Sequence, residues 1–216
     1  SCHPVYGPAR VEYIFPKNGY MFKVNFKSVG MESLLDNNQP PKINWSTNVF
    51  RNSRSIDYEN RYTELTFGYE DDRVDYLSLS GDDEEDRENI RWISYRQHFF
   101  SAILIPESSI KSVKLKSKDL SGDQVSEEKF TKYFESSYLL PKQGENINTT
   151  FKFYYGPTDY KTLQNLEGDL EASIPMGWGI FGWINKFIFL PLFGFLSSFL
   201  SYGIAIIVMT IIVRLL

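Results

Sequence analysis

The chain has 216 residues, with 23 basic and 27 acidic side chains, and carries a net charge of −4. An acidic chain without a basic cluster excludes a nucleic-acid surface, and a single cysteine, Cys2, excludes an intrachain disulfide. Two histidines, His3 and His98, are too few to support a metal site. No acidic residue follows Glu171, so the chain divides into a polar part and an apolar C-terminal part.

The polar part, residues 1–168, consists of short segments in which apolar and polar residues alternate. In residues 20–27, Phe22, Val24 and Phe26 alternate with polar neighbours, as in a half-buried strand. Further strands are predicted at 11–15, 43–49, 64–69, 74–79, 90–95, 99–105, 110–115, 130–139 and 147–155. Turn-forming clusters lie at 37–41, 81–83, 121–123 and 141–144. Ten strands without an intervening amphipathic helix predict an antiparallel sandwich.

Residues with the chemistry of an active site are scarce in this polar part. The acidic run 82–86 is interpreted as a solvated loop, because calcium loops place their carboxylates at alternate positions around a glycine. His98 is interpreted as structural, since no partner for acid–base chemistry is apparent and neither a phosphate-binding loop nor a nucleophile elbow is present. We therefore predict no catalytic site, no metal and no cofactor.

The first apolar segment, within a region assigned to residues 169–201, is predicted to be an amphipathic helix at a membrane interface. It starts with Trp178 and Trp183, followed by Lys186, and these residues are typical anchors at the level of the lipid headgroups. Its apolar face is wide and its stripe of small polar residues is narrow. We therefore expect this helix to lie along the bilayer surface.

The second apolar segment, residues 202–216, is predicted to be the start of a transmembrane helix. At ~1.5 Å per residue it rises only about 22 Å, against a hydrocarbon core of ~30 Å. We therefore expect the membrane domain to continue beyond Leu216. Arg214, eleven positions after Gly203, either lies inside the membrane, where it needs protein, water or a counter-charge, or reaches the opposite interface.

Four motifs, taken in chain order, carry a family resemblance. They are WISYRQHFFSAILIP at 92–106, Tyr-Tyr-Gly-Pro at 154–157 followed by Tyr160 and Leu163, Gly-Trp at 177–178, and the apolar run 203–214 that ends in Arg214. Their succession resembles the YidC membrane protein insertases over roughly residues 90–216. Leu215 departs from the glycine that often follows the arginine in this family.

The resemblance implies a fold, a location and a role. The polar part would be a periplasmic β-super-sandwich similar to galactose mutarotase, and the helices would belong to a multi-pass domain in the bacterial inner membrane. Arg214 would line a hydrophilic groove that receives polar parts of nascent membrane proteins. The implied partners are those nascent chains, the lipid bilayer, the Sec translocon, and the ribosome through regions absent from this chain.

Another function remains open at this point. Aromatic residues make up 16% of the chain, and a membrane-anchored carbohydrate-binding or sugar-epimerase-like domain would use such rings for stacking on a sugar. An epimerase also needs acid and base residues in a cleft, for which only His98 is a candidate. A sandwich that serves as a docking scaffold is a further possibility.

Overall fold

The computed structural model describes residues 9–28, 41–122, 129–140, 147–177 and 180–215. The chain forms two compact units, Ser1–Ser173 and Ile174–Leu216. The first unit is mainly antiparallel β-structure and the second consists of apolar helices. The predicted fold class is therefore confirmed at the level of a β-sandwich followed by helices.

All ten predicted strands are present in the first unit. They are β1 (Ala9–Ile14), β2 (Met21–Ser28), β3 (Lys42–Phe50), β4 (Glu64–Tyr69), β5 (Arg73–Tyr76), β6 (Asp83–Arg96), β7 (Phe100–Pro106), β8 (Ile110–Asp119), β9 (Phe130–Leu139) and β10 (Ile147–Pro157). Two one-turn helices, α1 (Ile56–Asn60) and α2 (Tyr160–Gln164), accompany them. The predicted turn at 141–144 and most of the turn at 37–41 lie outside the described residues.

The interpretation of the acidic run as a loop was wrong. Strand β6 begins at Asp83, so four of the five acidic residues are part of a strand that pairs with β8. Glu84 lies opposite Lys116 in the register and forms ion pairs with Lys114 and, at 3.4 Å, with Lys116. Cross-strand pairs of opposite charge stabilise a strand whose composition alone disfavours β-structure.

Strand β6 is shared between two parts of the sheet. Its first half, 83–90, pairs with β8, while 90–96 pairs with β4 and 93–96 pairs with β7. Asn89, with φ +55°, lies where the two pairings meet, and the register with β4 shifts at Gly68/Tyr69. Such an irregularity bends a strand. The strand order β1-β2-β10-β7-β6-β8-β9-β3 therefore folds into two facing layers.

The core lies between these layers. The indole of Trp45 on β3 stacks on the ring of Tyr95 on β6, with centroids 4.0 Å apart, and meets Phe153 of β10 edge-on. The Tyr95 hydroxyl donates to the Trp45 carbonyl oxygen at 2.8 Å, so this buried phenol has a partner. The buried apolar residues around them include Val49, Leu65, Phe67, Ile90, Ile93, Leu104, Val113, Leu115, Phe134, Tyr138 and Phe151.

Candidate functional site

The second unit begins with an apolar helix at Ile180–Ser197, here called the first apolar helix. The helix passes through Pro191 and widens just before it, at Asn185–Phe189, where the Leu190 N–H donates to the Asn185 carbonyl oxygen. This is a π-helical turn. A proline cannot donate its own hydrogen bond, and a wider turn lets the helix continue with a local bend.

The segment that precedes this helix folds back onto it. Gly177 has φ +103°, and the Asn185 side-chain amide donates to the Met176 carbonyl oxygen at 2.8 Å. A Cβ atom at Gly182 would lie 2.5 Å from the Gly177 carbonyl oxygen, so only glycine allows this close approach. Trp178, one of the predicted interface residues, lies outside the described residues.

The second apolar helix, Tyr202–Leu215, follows a break at residues 198–201 and packs against the first. Leu196 and Ala205 are buried where the two helices meet, and the rings of Phe193 and Tyr202 stack with centroids 6.0 Å apart. The predicted break near Tyr202 is therefore confirmed to within a few residues. It produces two helices of unequal length.

The two helices and the break between them expose large apolar side chains. The exposed residues are Ile180, Phe181, Trp183, Phe187, Ile188, Phe195, Phe199, Tyr202, Ile204, Ile206, Ile207, Ile211, Val213 and Leu215. A continuous apolar surface of this extent is unfavourable in water but suits lipid, where a helix satisfies its own backbone hydrogen bonds. The surface chemistry of the unit is therefore that of a membrane segment.

Length distinguishes the two helices in a way that differs from the sequence-based prediction. The first helix has 18 residues and a rise of about 27 Å. Among the helices that the structure describes, it is the one whose length and composition suffice to cross a membrane. The second has 14 residues. We predicted a surface position for the first helix and a bilayer position for the second, and that division stays a prediction.

Three charged or aromatic residues that the sequence selected are visible in this unit. Trp183 is exposed next to Phe187, with ring centroids 5.7 Å apart, and the Lys186 ammonium lies 5.9 Å from the Phe187 ring. Arg214 lies in the last turn of the second apolar helix and is exposed. Among the described residues, no carboxylate lies within ion-pair distance of its guanidinium.

The sandwich provides no support for acid–base chemistry at His98. Its imidazole stacks between Tyr62 and Phe99, with centroid distances of 4.2 and 4.1 Å. No group of three or more His, Cys, Asp or Glu residues suited to a metal occurs in the described ranges. The carbohydrate or epimerase alternative is therefore not favoured.

Sequence reasoning missed a buried group of charges in the sandwich. Arg96 donates to Glu64 at 2.6 Å, with 6% and 7% of these side chains exposed, and the Lys132 ammonium donates to the Leu79 carbonyl oxygen at 2.7 Å. Burial lowers the pKa of Lys132. Charged residues within or next to three predicted strands were the only signal, and this signal is ambiguous because such residues are usually exposed.

Comparison with known proteins places these features in a family context. A family model described as the YidC periplasmic domain matches residues 9–191. The chain is 32% identical over 219 residues to the membrane protein insertase YidC of Parabacteroides distasonis, with 94% of the chain and 33% of the relative covered. It is 31% identical over 216 residues to the protein of the same name from Bacteroides fragilis, with 94% and 34% covered. The chain thus spans about a third of the length of these relatives.

Proposed function

Because the chain belongs to the YidC family of membrane protein insertases, we propose that it forms the periplasmic sandwich and the first helices of an insertase. In this proposal the protein aids the insertion and folding of nascent membrane proteins in a bacterial inner membrane. No covalent bond is made or broken. The residues after Glu171 supply the contact with the bilayer.

The observation that carries this proposal is the position of Arg214. It is the only charge on the second apolar helix, and it follows a turn of exposed aliphatic side chains such as Ile211 and Val213. A cation placed on such a helix is costly in hydrocarbon unless it faces water, protein or a counter-charge. We therefore propose that a hydrated or protein-lined groove lies next to this helix.

The chemistry of a guanidinium fits a transient contact with a translocating chain. Coulomb attraction between Arg214 and an entering carboxylate strengthens as the local dielectric constant falls. The planar guanidinium also binds a carboxylate through two parallel hydrogen bonds. Such a contact lowers the cost of moving an acidic segment into the membrane and is released once that segment reaches water.

Trp178, Trp183 and Lys186 are proposed as anchors of the first apolar helix at the membrane interface. Trp183 is exposed, and an indole favours the headgroup region because it is apolar with one polar N–H. Lys186 reaches the same region with its flexible stem. These residues set the depth of the helix and thereby the depth of the groove.

The partners follow from this role and belong to the proposal. Nascent membrane proteins are the substrates, and the Sec translocon and the ribosome deliver them, the ribosome through parts of the protein outside residues 1–216. The relatives are about three times longer than this chain, which leaves room for the other helices of a multi-pass groove.

The test replaces Arg214 in the full-length protein and measures insertion of a substrate with an acidic translocated tail. We expect Arg214→Ala to reduce insertion, whereas Arg214→Lys, which keeps the charge, retains most of it. A second substrate with a neutral tail of equal length is the control and should insert equally well with each variant. Unchanged insertion of the acidic-tailed substrate by Arg214→Ala would refute the role of this residue.

A further inference from the structure

One end of the sandwich combines exposed aromatic rings with arginines. This region, here called the aromatic–arginine tip, comprises residues 50–62 and 97–100. Its exposed rings are Phe50, Tyr58, Phe99 and Phe100, and its arginines are Arg51, Arg54 and Arg61. The proposed function assigns no role to these residues.

The two segments of the tip form one continuous surface. The Asn52 amide donates to the Gln97 side-chain oxygen at 3.1 Å, and the ring of Tyr62 stacks on His98 with centroids 4.2 Å apart. The Thr158 N–H donates to the Phe99 carbonyl oxygen at 2.8 Å, which fixes the turn between β6 and β7 to the end of β10. The exposed rings are therefore held in place by the fold.

The exposure of these rings contrasts with the burial of the core phenylalanines. Phe50, Phe99 and Phe100 leave 56–64% of their area accessible, whereas Phe67, Phe134 and Phe151 are fully buried. Three phenylalanines on one rim expose an apolar area that water disfavours. A clustered apolar surface is typical of an interaction site.

The charge of the tip differs from that of the sandwich as a whole. Up to Glu171 the chain has 21 basic and 27 acidic residues, a net charge of −6. Residues 50–62 carry three arginines and two carboxylates, of which Asp57 is exposed and Glu59 is buried, and Asp119 accepts a hydrogen bond from the Asn60 amide. Among the described residues, Arg54 and Arg61 form no ion pair. Residues 50–62 therefore have a net charge of +1, and Arg54 and Arg61 are exposed on an otherwise acidic domain.

We propose that the aromatic–arginine tip binds the surface of a bilayer that contains anionic phospholipids. Aromatic rings partition into the headgroup region, and arginine binds phosphate through its planar guanidinium. The same surface repels the acidic remainder of the domain, so the charge distribution favours binding through the tip. Since the chain also carries apolar helices, lipid is present near the sandwich at high effective concentration.

The test measures how close the tip comes to lipid in the full chain. A fluorophore is attached to Asn52→Cys in a Cys2→Ser background, and the protein is reconstituted in phosphatidylcholine vesicles with or without phosphatidylglycerol and with a nitroxide-headgroup lipid as quencher. The matched control is a label at exposed Ser112→Cys, near the start of β8. Ser112 is a suitable control because it lies at the other end of β8 from Asp119, and Asp119 is the residue that accepts a hydrogen bond from Asn60 of the tip.

We expect quenching at residue 52, but not at residue 112, to rise when phosphatidylglycerol is present. Arg54→Glu with Arg61→Glu should lower the equilibrium constant for the lipid-bound state by about thirtyfold or more, the effect of two basic side chains at an anionic surface. Arg54→Lys with Arg61→Lys should retain the quenching, and Phe99→Ser with Phe100→Ser should reduce it. Near-UV circular dichroism verifies that each variant is folded.

Three results would overturn the proposal. One is equal quenching at residues 52 and 112 in anionic vesicles. Another is strong quenching at residue 52 that neither the arginine nor the phenylalanine variants reduce. Shielding of residue 52 from aqueous iodide by an added membrane protein, without quenching by lipid, would assign the tip to a protein partner and would also refute it.

Discussion

The same apolar residue types occupy opposite environments in the two compact units. In the sandwich Phe67 and Ile93 are fully buried, whereas in the helices Phe195 and Ile207 are more than 60% exposed. The backbone explains the difference. Strands of a sandwich bury one face against another layer, while a helix satisfies its own hydrogen bonds and can expose apolar side chains to lipid. The placement of apolar residues therefore identifies the solvent that each unit requires.

The arginines show the same contrast. Arg96 is buried and bound to Glu64, and Arg214 is exposed on an apolar helix without a carboxylate partner in the described part of the chain. A buried cation in a soluble domain is tolerated because its counter-charge is fixed nearby. We propose that Arg214 finds its counter-charge in a passing substrate. Mutations that distinguish the two units test this comparison.

The largest expected effect is on core packing. Phe67→Ala should lower the free energy of unfolding of the sandwich by about 3–5 kcal/mol, because a cavity replaces a fully buried ring. Phe195→Ala, the same change on an exposed helix position, should leave it within about 0.5 kcal/mol. Urea unfolding in detergent micelles, followed by near-UV circular dichroism, measures both. Equal destabilisation by the two variants would contradict the inference that the sandwich buries its apolar side chains from water while the helices expose theirs to lipid.

The next effect concerns the buried ion pair. Arg96→Met should destabilise the sandwich by about 3 kcal/mol, because Glu64 loses its guanidinium partner and keeps the Thr66 hydroxyl at 3.5 Å and the more distant Lys132. Glu64→Leu combined with Arg96→Met should recover much of this loss, since no unpaired charge remains. Arg214→Met should leave unfolding of the sandwich unchanged. The same urea titration compares the three variants. If the double variant were less stable than Arg96→Met, the loss of stability could not be explained by an unpaired charge on Glu64.

A smaller effect should appear at alkaline pH. Burial raises the pKa of Tyr154 to about 12, and its hydroxyl donates to the Pro157 carbonyl oxygen at 2.7 Å. As pH rises from about 10 to 12 the unfolded state loses this phenol proton first, so stability falls across that window. Tyr154→Phe should cost about 1 kcal/mol at pH 7 but should remove part of the alkaline loss.

Unfolding free energies measured between pH 8 and 12 test this prediction, with Tyr155→Phe as the control for removing an exposed phenol from the same strand. Burial also raises the pKa of Tyr95 and Tyr138, so part of the loss persists in every variant. An unchanged slope in Tyr154→Phe would mean that this phenol does not contribute.

The smallest effect is expected at the surface of the sandwich. Hydrogen bonding to Lys114 lowers the pKa of Glu84, so the pair stabilises the fold at neutral pH and loses this contribution as pH falls through the lowered pKa. Because both side chains are exposed, solvent and salt screen the interaction. Glu84→Gln should therefore shift the urea midpoint slightly at low salt and not at 1 M salt. A salt-independent shift would show that strand pairing, and not charge, is affected.

Prediction from sequence succeeded where one periodic pattern decided the structure. The alternation of Phe22, Val24 and Phe26 placed β2, and the bounds of β4 and β9 were correct. It failed at the acidic half of β6, because the lysines of β8 that neutralise Glu84 are distant in sequence. The burial of Glu64 and Arg96 was not predicted for the same reason, because the two residues are 32 positions apart.

The candidate site was predictable in part. The absence of charge between Lys186 and Arg214 predicted apolar helices, whereas the position of Arg214 relative to the membrane stays a prediction. It did not predict the π-helical turn before Pro191 or the fold-back at Gly177, which depend on contacts between neighbouring segments. The aromatic–arginine tip was missed because the pattern around Phe99 is also the pattern of a buried strand.

Composition and period alone determined that this chain consists of a strand-rich polar domain and an apolar helical segment, because side-chain transfer free energies and backbone geometry are local properties. Tertiary structure decided which aromatic rings are buried and which are exposed at the tip, and which charges acquire partners. These outcomes depend on how far one layer of the sheet covers the other, and that is set by strand pairings between residues far apart in the sequence.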